Sequence, residues 1–466
     1  MSAQSARRRV LIVAAEFPPV KGIGRLRPLK FCQHLKSFGW DAAVLTLNEG
    51  DMQPVDAATL QEIPQGVPVY RAALPRPKER IVAAIKAGLK RRDATPPPAT
   101  AAPSHPSTAA PSPSGGISWP GRIMGLMDRL TRRYLLIPDD LVLWTGPAVR
   151  RGLQAVKDFQ PTVILATAPY FTDLIIGARL AQRAGLPWIA DYRDLWTGDV
   201  LREWVPGWRR RLELGMERRV LATASAVLTV SEPKTQVMRQ RLPHLPAEAF
   251  ITLTNGYDLE EFADITPETG DPGQVRIVYA GRLFKNRRGY ELLEAAGALL
   301  RERPEYRQRL RIEYYGGVAP EIAAQMEVLT SEQELTDIVR FFPDVPYQRS
   351  KALQKGADVL LLIVDRGETT SGVIPGKLFE YLAAGRPILC IAAEGATPDI
   401  IRQGRLGWVV PPGDVTAIKT VLDLILSASA VPYAPDAAFV SQFERRKLVE
   451  TLAGILDRVA AGNHSG

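Results

Sequence analysis

Short apolar runs alternate along the chain with longer stretches in which apolar positions recur every three or four residues, and the alternation starts afresh once. In the first half the runs are RVLIVAA (9–15), DAAVLTL (41–47), TVILATA (162–168), WIADYR (188–193) and AVLTVS (226–231). After Pro272 come VRIVYAG, RIEYYGG, IVRFFPD, DVLLLIV, PILCIA and GWVVPPG. Runs of this length read as buried strands, and the helical stretches between them as crossovers of parallel β-α-β units. The pattern predicts an α/β fold with two Rossmann-like, doubly wound halves, over residues 8–265 and 272–432. A helix from Phe439 to Ala460 comes too late to belong to another strand unit. Residues 433–460 are therefore expected to brace one half against the other.

One segment breaks the alternation. Residues 95–116, TPPPATAAPSHPSTAAPSPSGG, are proline, alanine and small polar residues without apolar periodicity, which predicts an extended or disordered tract. On its N-terminal side Ile81, Val82, Ile85 and Leu89 recur at helical spacing opposite Arg80, Lys86, Lys90 and Arg91. On its C-terminal side Trp119, Ile123, Leu126, Met127, Leu130 and Tyr134 do the same opposite Arg122, Arg129 and Arg133. The net charge of +9 resides entirely in these two basic segments of the insertion 76–134, and the rest of the chain is near neutral. That distribution disfavours a nucleic-acid binder. Basic amphipathic helices suit an anionic membrane surface, and they equally suit helices packed on the domain with solvated basic faces.

Composition narrows the setting. A chain of 466 residues with 46% apolar content is too long for one core and ordinary for a globular protein. Its two cysteines, Cys32 and Cys390, lie far apart in apolar segments, which suits a reducing compartment. The apolar run at Val10–Ala15 is too short for a signal h-region, and no run approaches a membrane span. A cytoplasmic location is expected, with attachment to the inner face of the plasma membrane left open. The four histidines have no cysteines or carboxylates at ligand spacing, and no G-x-S-x-G elbow or G-x-x-x-x-G-K-[ST] loop occurs, so neither a metal nor a cofactor is called for.

Ligands of open parallel sheets bind beyond the carboxyl ends of the strands, which directs attention to the loops there. EFPPVKGIGRLRPLKF follows the first strand, and its Gly22 and Gly24 precede a helix. They permit close approach to an anion or sugar, and they equally permit an ordinary turn. In WIADYRDLWTGD the charges Asp191, Arg193, Asp194 and Asp199 either pair with one another or face a ligand. VRIVYAGRLFKNRRGYELLEA gathers Arg282, Lys285, Arg287 and Arg288 behind Gly281, a cation cluster suited to a diphosphate. In SGVIPGKLFEYLAAGRPIL a single carboxylate, Glu380, stands in a helix whose neighbours all read as core.

These segments together resemble the nucleotide-sugar-dependent glycosyltransferases of the GT-B fold, of the retaining family-4 type used in bacterial polysaccharide, cell-envelope and lipid-linked glycan assembly. EFPPVKGIGRLRPLKF is similar to that family's first glycine loop, and LPWIADYRDLWTGD to its PW-x-ADFRDPW segment. TVSEPK, TNGYDLEEF, YAGRLF and IPGKLFEYLAAGRPIL follow in the family's order. The resemblance covers nearly everything but the insertion. It implies a hexosyltransferase-type enzyme with a nucleoside diphosphate sugar as donor, held mainly by the second half, and a lipid-linked or polysaccharide acceptor held mainly by the first.

By the same resemblance Arg282 is the diphosphate arginine, with Arg288 or Lys285 as its basic partner, and Glu380 is the last glutamate of an E-x7-E motif that binds the ribose hydroxyls. The turn Gly372-Val373-Ile374-Pro375-Gly376 presents backbone amides at the start of the Lys377 helix, and Gly22 and Gly24 complete the donor-binding set. Arg282, Lys285 and Asp194 are the catalytic candidates, the last for positioning the acceptor. Two positions depart from the family: Gly372 stands where the motif's first glutamate would, and Asp173 and Leu174 lie where many relatives carry a histidine. A non-catalytic relative serving as a membrane-associated binding or scaffold subunit is the alternative. An epimerase on the same fold is disfavoured, since it would need more carboxylates and histidines in the cleft.

Overall fold

The computed structural model describes residues 8–76, 134, 136–199, 202–367 and 370–462. The tract 95–116 and both basic stripes of the insertion, except Tyr134, lie outside the described residues.

Two all-parallel sheets are present. The first has seven strands, β1 (Arg9–Val13), β2 (Asp41–Leu47), β3 (Val69–Ala72), β4 (Val163–Ala168), β5 (Trp188–Tyr192), β6 (Ala226–Thr229) and β7 (Phe250–Thr252), in the order 3-2-1-4-5-6-7. The second has six, β8 (Val275–Ala280), β9 (Leu310–Tyr315), β10 (Val339–Phe342), β11 (Val359–Ile363), β12 (Ile388–Ile391) and β13 (Gly407–Val410), in the order 10-9-8-11-12-13. In each sheet the winding reverses beside the first strand, between β1 and β4 and between β8 and β11. Crevices for ligands open at such points, beyond the carboxyl ends of the strands.

The strands are apolar throughout because both faces are covered. In β1, Leu11 and Val13 pack with Trp144, Ala148 and Leu174 on one face. Val10 and Ile12 pack with Leu29, Phe31 and Trp40 on the other. The second sheet does likewise. Ile277 and Tyr279 of β8 are set among Leu292, Ile312 and Leu361 on one side, and Val278 among Leu360, Leu378 and Tyr381 on the other. The edge strands β3 and β7 are not among the expected runs. VYRA is half-exposed and FIT is three residues long, so neither presents an apolar run.

The expected single helix from Phe439 to Ala460 is broken. A short helix, Ala437–Ser441, is followed after a turn by Arg445–Gly462. Phe439 and Phe443 pack with Tyr257 and Phe379 in the core of the second half. Val449, Leu452, Ile455 and Leu456 then pack in the first-half core that includes Val10 and Ile12 of β1. Where the chain crosses it runs beside the connection between the halves, with Tyr257 and Glu444 forming a parallel bridge. The Tyr257 amide donates to the Phe443 carbonyl at 3.0 Å, and the Arg445 amide to the Tyr257 carbonyl at 2.9 Å.

A buried ion pair fixes the first half around its crevice. Asp191, in β5, is fully buried, and Arg27 of the helix Leu26–His34 grips both of its oxygens at 2.8 and 2.9 Å. The same guanidinium donates to the carbonyls of Leu253 and Thr254, at 2.9 and 2.8 Å, and Thr167 adds a bond to Asp191 at 2.7 Å. Removing one partner of such a pair leaves an uncompensated buried charge. Arg27→Ala is expected to lower unfolding stability by about 3–5 kcal/mol, read from urea denaturation. A loss below about 1 kcal/mol, the range of exposed pairs, would show that the pair does not anchor the first half.

Candidate functional site

Between the carboxyl edges of the two sheets lies a cavity of about 450 Å³, lined from both halves. Gly24, Asp194, Ile374, Gly376 and Glu380 line it, together with Glu16, Arg193, Lys234, Tyr347 and Arg445. Of the residues expected from the sequence, Gly22, Arg282, Lys285, Arg288 and Lys377 are outside this lining.

The second-half wall is built around the helix Gly376–Ala384. Pro375 precedes it and no side chain caps it, so its first amides and the positive end of its dipole are open to a ligand. The preceding turn is held from three directions. Ser231 of the first half donates to the Gly372 carbonyl at 2.8 Å, Thr397 to the Val373 carbonyl at 2.7 Å, and the Ala396 amide to the Ser371 carbonyl at 2.8 Å. One turn into the helix, Glu380 reaches the cavity while Tyr381 is buried in the core and Phe379 nearly so. Gln354 donates to one of its oxygens at 3.0 Å. Burial, with the charges of Glu380 and Glu261, pushes the Tyr347 hydroxyl above its ordinary pKa.

The cations after β8 divide by environment. Arg287 is held by a two-pronged pair with Asp365, at 2.8 and 3.0 Å. Arg282 and Lys285 are exposed. Arg288 lies over the Tyr290 ring, 5.5 Å from its centroid, and its buried Nε has no partner among the described residues. Lys377 extends back over Gly281, where a Cβ would stand 2.5 Å from the lysine Cε and would displace the end of the lysine side chain. Desolvation lowers the Lys377 pKa, with Glu380 opposing and Arg287 adding to the fall. Lys377 makes no hydrogen bond or ion pair with the described residues. A half-buried ammonium without such a partner, beside an uncapped helix start, is suited to an anion.

The first-half wall holds what the sequence did not reveal. Glu16 sits under the glycine loop: a Cβ on Gly24 would overlap its carboxylate, and one on Gly22 would come to 3.5 Å. Gly24 thus accommodates a carboxylate of the protein itself, whereas a side chain at Gly22 would make only ordinary contact with it. Arg193 donates to Glu16 at 3.0 Å and also binds the carbonyls of Gly24 and Pro169. Lys234 donates to the Arg193 carbonyl at 2.9 Å and pairs with Asp194 at 3.0 Å. The charges of the WIADYRDLWTGD segment thus do both things expected of such a cluster: Asp191 pairs internally, and Asp194 lines the cavity. Glu16 carried no signal beyond its place between a strand and two prolines.

Both positions that depart from the family pattern have a structural setting. A Cβ at Gly372 would lie 2.9 Å from Lys234 Cγ and 3.2 Å from Ser231 Oγ, so any side chain there meets the opposite half. Asp173 is fully buried and accepts from the Ala15 amide at 2.8 Å, which ties the helix Phe171–Ala184 to the end of β1. Burial pushes its carboxyl well above the usual range, and its other oxygen is buried without a partner among the described residues.

A charged network joins the elements at the crossing, and its members Asp258, Glu261 and Arg445 also line the cavity. Lys30 pairs with Asp258 at 2.7 Å and Glu261 at 2.9 Å, Arg445 with Asp258 at 3.4 Å, and Lys351 with Glu261 at 3.2 Å. Burial works against the Asp258 carboxylate, but His34, Lys30 and Arg445 outweigh it and hold its pKa down to about 2.

Known proteins resemble this chain in sequence and in fold. The family model described as "Glycosyl transferase 4-like domain" matches residues 25–256, and that described as "Glycosyl transferases group 1" matches residues 274–427. A D-inositol 3-phosphate glycosyltransferase of Streptomyces scabiei is 29% identical over 170 residues, 36% of this chain and 37% of that protein. The amylovoran biosynthesis glycosyltransferase AmsK of Erwinia amylovora is 30% identical over 146 residues, 30% of this chain and 35% of that protein. In these two matches the chain therefore spans little more than a third of the relative's length.

Among solved structures, Anabaena Alr3699/HepE in complex with UDP superposes with a TM-score of 0.54 at 12% identity over 98% of both chains. The lipopolysaccharide outer core galactosyltransferase WaaB superposes at 0.56 and 12% identity over 97% of this chain and 99% of its own. A UDP-GlcNAc 2-epimerase from Methanocaldococcus jannaschii gives 0.51 at 12% identity over 97% of this chain and 99% of its own, so the fold is shared beyond the transferases. With one family match on each half, in the order of the two sheets, the chain belongs to the family-4-type glycosyltransferases, and its two Rossmann-like domains are those of the GT-B fold.

Proposed function

We propose that the protein transfers a glycosyl group from a nucleoside diphosphate sugar to a hydroxyl of a lipid-linked or polysaccharide acceptor, with retention of anomeric configuration. The observation that carries the reading is the second-half wall of the cleft. There the helix start at Gly376 is uncapped and Glu380 faces the cavity, and on the same helix, just outside the lining, Lys377 has no side-chain hydrogen-bonding or ion-pair partner among the described residues. Breaking a sugar–phosphate bond leaves negative charge on the diphosphate, and placing cations and amides where that charge develops is the main electrostatic task. Lys377, the exposed Arg282 and the amides of the Ile374–Gly376 turn take that task, with Arg288 or Lys285 as the second diphosphate cation. Glu380, with one oxygen held by Gln354, accepts hydrogen bonds from the ribose diol.

On the acceptor side Asp194, oriented by Lys234, accepts a hydrogen bond from the incoming hydroxyl. Front-face attack, in which the departing phosphate oxygen takes the acceptor proton, gives retention without a protein nucleophile. Backbone amides of the 372–376 turn hold the sugar, a reading supported by the lack of a side chain at Gly372 and the close packing there. The membrane-facing role of residues 76–134 belongs to the same proposal. No helix among the described residues is long and apolar enough to cross a membrane.

Binding is tested first. UDP, GDP or ADP is expected to raise the melting temperature, and Glu380→Ala to weaken the effective nucleotide by about 10- to 100-fold, the worth of a charged hydrogen bond or two. A protein indifferent to all three would overturn the reading. Binding without transfer or donor hydrolysis, across a panel of nucleotide sugars, would instead make the chain a binding subunit.

Lys377 gives a pH signature. Its lowered pKa means that its charge disappears at a lower pH than for an exposed lysine. Nucleotide affinity should accordingly fall early on the alkaline side, measured by calorimetry. Lys377→Arg should remove that fall, and Lys377→Met should lower kcat by about 10²–10³-fold. A flat affinity profile in the wild-type protein would exclude Lys377 from the diphosphate site. The anomeric configuration of the product, read by NMR, decides retention directly.

A further inference from the structure

The helix Gly207–Leu221 carries charges inside and large apolar groups outside. Its buried positions include Arg209, Glu213 and Glu217, spaced four residues apart. These charges are paired within the fold. Arg209 donates to Glu213 at 2.6 Å and to the carbonyls of Leu136 and Pro138, at 3.1 and 2.9 Å. Arg202 reaches Glu213 at 2.6 Å, and Glu217 takes bonds from Thr197 at 3.0 Å and Arg241 at 3.2 Å.

The outer side is the reverse of an ordinary amphipathic helix. Trp204 is 51% exposed, Trp208 47%, Leu212 43% and Tyr134 43%. Tyr134 stacks on Trp208, with ring centroids 5.9 Å apart and planes within 5°. Arg211 and Arg218 are exposed on the same helix, and their side chains form no hydrogen bond or ion pair with the described residues. None of these residues lines the cleft. Large exposed apolar groups gathered in one place mark an interaction surface.

We propose that this face, made by Tyr134, Trp204, Trp208 and Leu212 with Arg211 and Arg218, docks the protein on an anionic lipid surface. Tryptophan and tyrosine, with an apolar ring and a polar tip, settle at the boundary between headgroups and acyl chains. Arginines beside them match the negative potential of an anionic leaflet, and their long stems let the charge reach the headgroups. A second copy of the chain fits less well, because a two-fold contact through this face would bring its arginines against their own images. Tyr134 apart, the surface is made by residues outside the insertion, and the inference does not depend on glycosyl transfer.

The test uses the full-length protein and sedimentation with vesicles of phosphatidylcholine alone or mixed with phosphatidylglycerol. Binding to the mixed vesicles is expected, weakening as salt shortens the screening length from about 10 Å at 0.1 M to about 3 Å at 1 M. W204S/W208S, and separately R211E/R218E, should each lower the partition coefficient at least about tenfold. Both variants should keep the wild-type melting temperature. Quenching of tryptophan fluorescence by brominated lipid should be smaller in W204S/W208S than in the wild type. Equal binding by either variant and the wild type, or no preference for the anionic vesicles, would overturn the proposal. So would a dimer in sedimentation velocity that the variants dissociate without any vesicle binding.

Discussion

Asp191 is a carboxylate with no access to water, in an interior strand of the first sheet, and the arrangement of that half depends on how its charge is met. Arg27 meets it with both prongs and directs its remaining donors to the carbonyls of Leu253 and Thr254. One guanidinium therefore joins the first helix, β5 and the start of the connection to the second half. Gly24 lies just before that helix and Arg193 just after that strand, so the same pair sets the distance across which Arg193 reaches Glu16 and the Gly24 carbonyl. The first-half wall of the cleft is in this sense a consequence of neutralising one buried charge.

The cleft itself is asymmetric. On the first-half side many charges have a protein partner: Glu16 with Arg193, Lys234 with Asp194, Asp258 with Lys30 and Arg445. On the second-half side Lys377 has none among the described residues, and the helix that carries it starts without a cap. Paired charges make a shaped, nearly neutral wall that suits hydroxyl groups. Unpaired ones make an electrostatic sink that suits phosphates. This difference in charge pairing supports a division of labour between a donor half and an acceptor half.

Much of the architecture was legible because parallel strands buried on both faces must be apolar along their whole length. That requirement marks RVLIVAA or DVLLLIV unmistakably. It fails for an edge strand too polar or too short to present an apolar run, which is why VYRA and FIT escaped while the edge strands in IVRFFPD and GWVVPPG did not. Glu380 was legible for the converse reason, as a lone charge in a helix that otherwise reads as core. Glu16 was not, since a carboxylate between a strand and a Pro-Pro pair looks like any loop residue until the glycine loop is seen to close over it. The helix Gly207–Leu221 hid its character in the same way. Arginines and glutamates alternate with tryptophan and leucine, and only the fold decides which set faces inward.

The chain passes between the halves twice, and the two passages lie side by side, laced by the Tyr257–Glu444 bridge. Gly256 is confined there too, since a Cβ would stand 2.3 Å from the Phe443 carbonyl oxygen. A single tether would let one half twist or slide relative to the other. Two adjacent tethers leave essentially one soft degree of freedom, a swing about the line of the bridge. The Ser231–Gly372 contact, a further tie between the walls, then behaves as the latch of a door whose hinge pin is the doubled backbone. Doubling the backbone at the crossing thus confines any relative movement of the two walls to a few residues there.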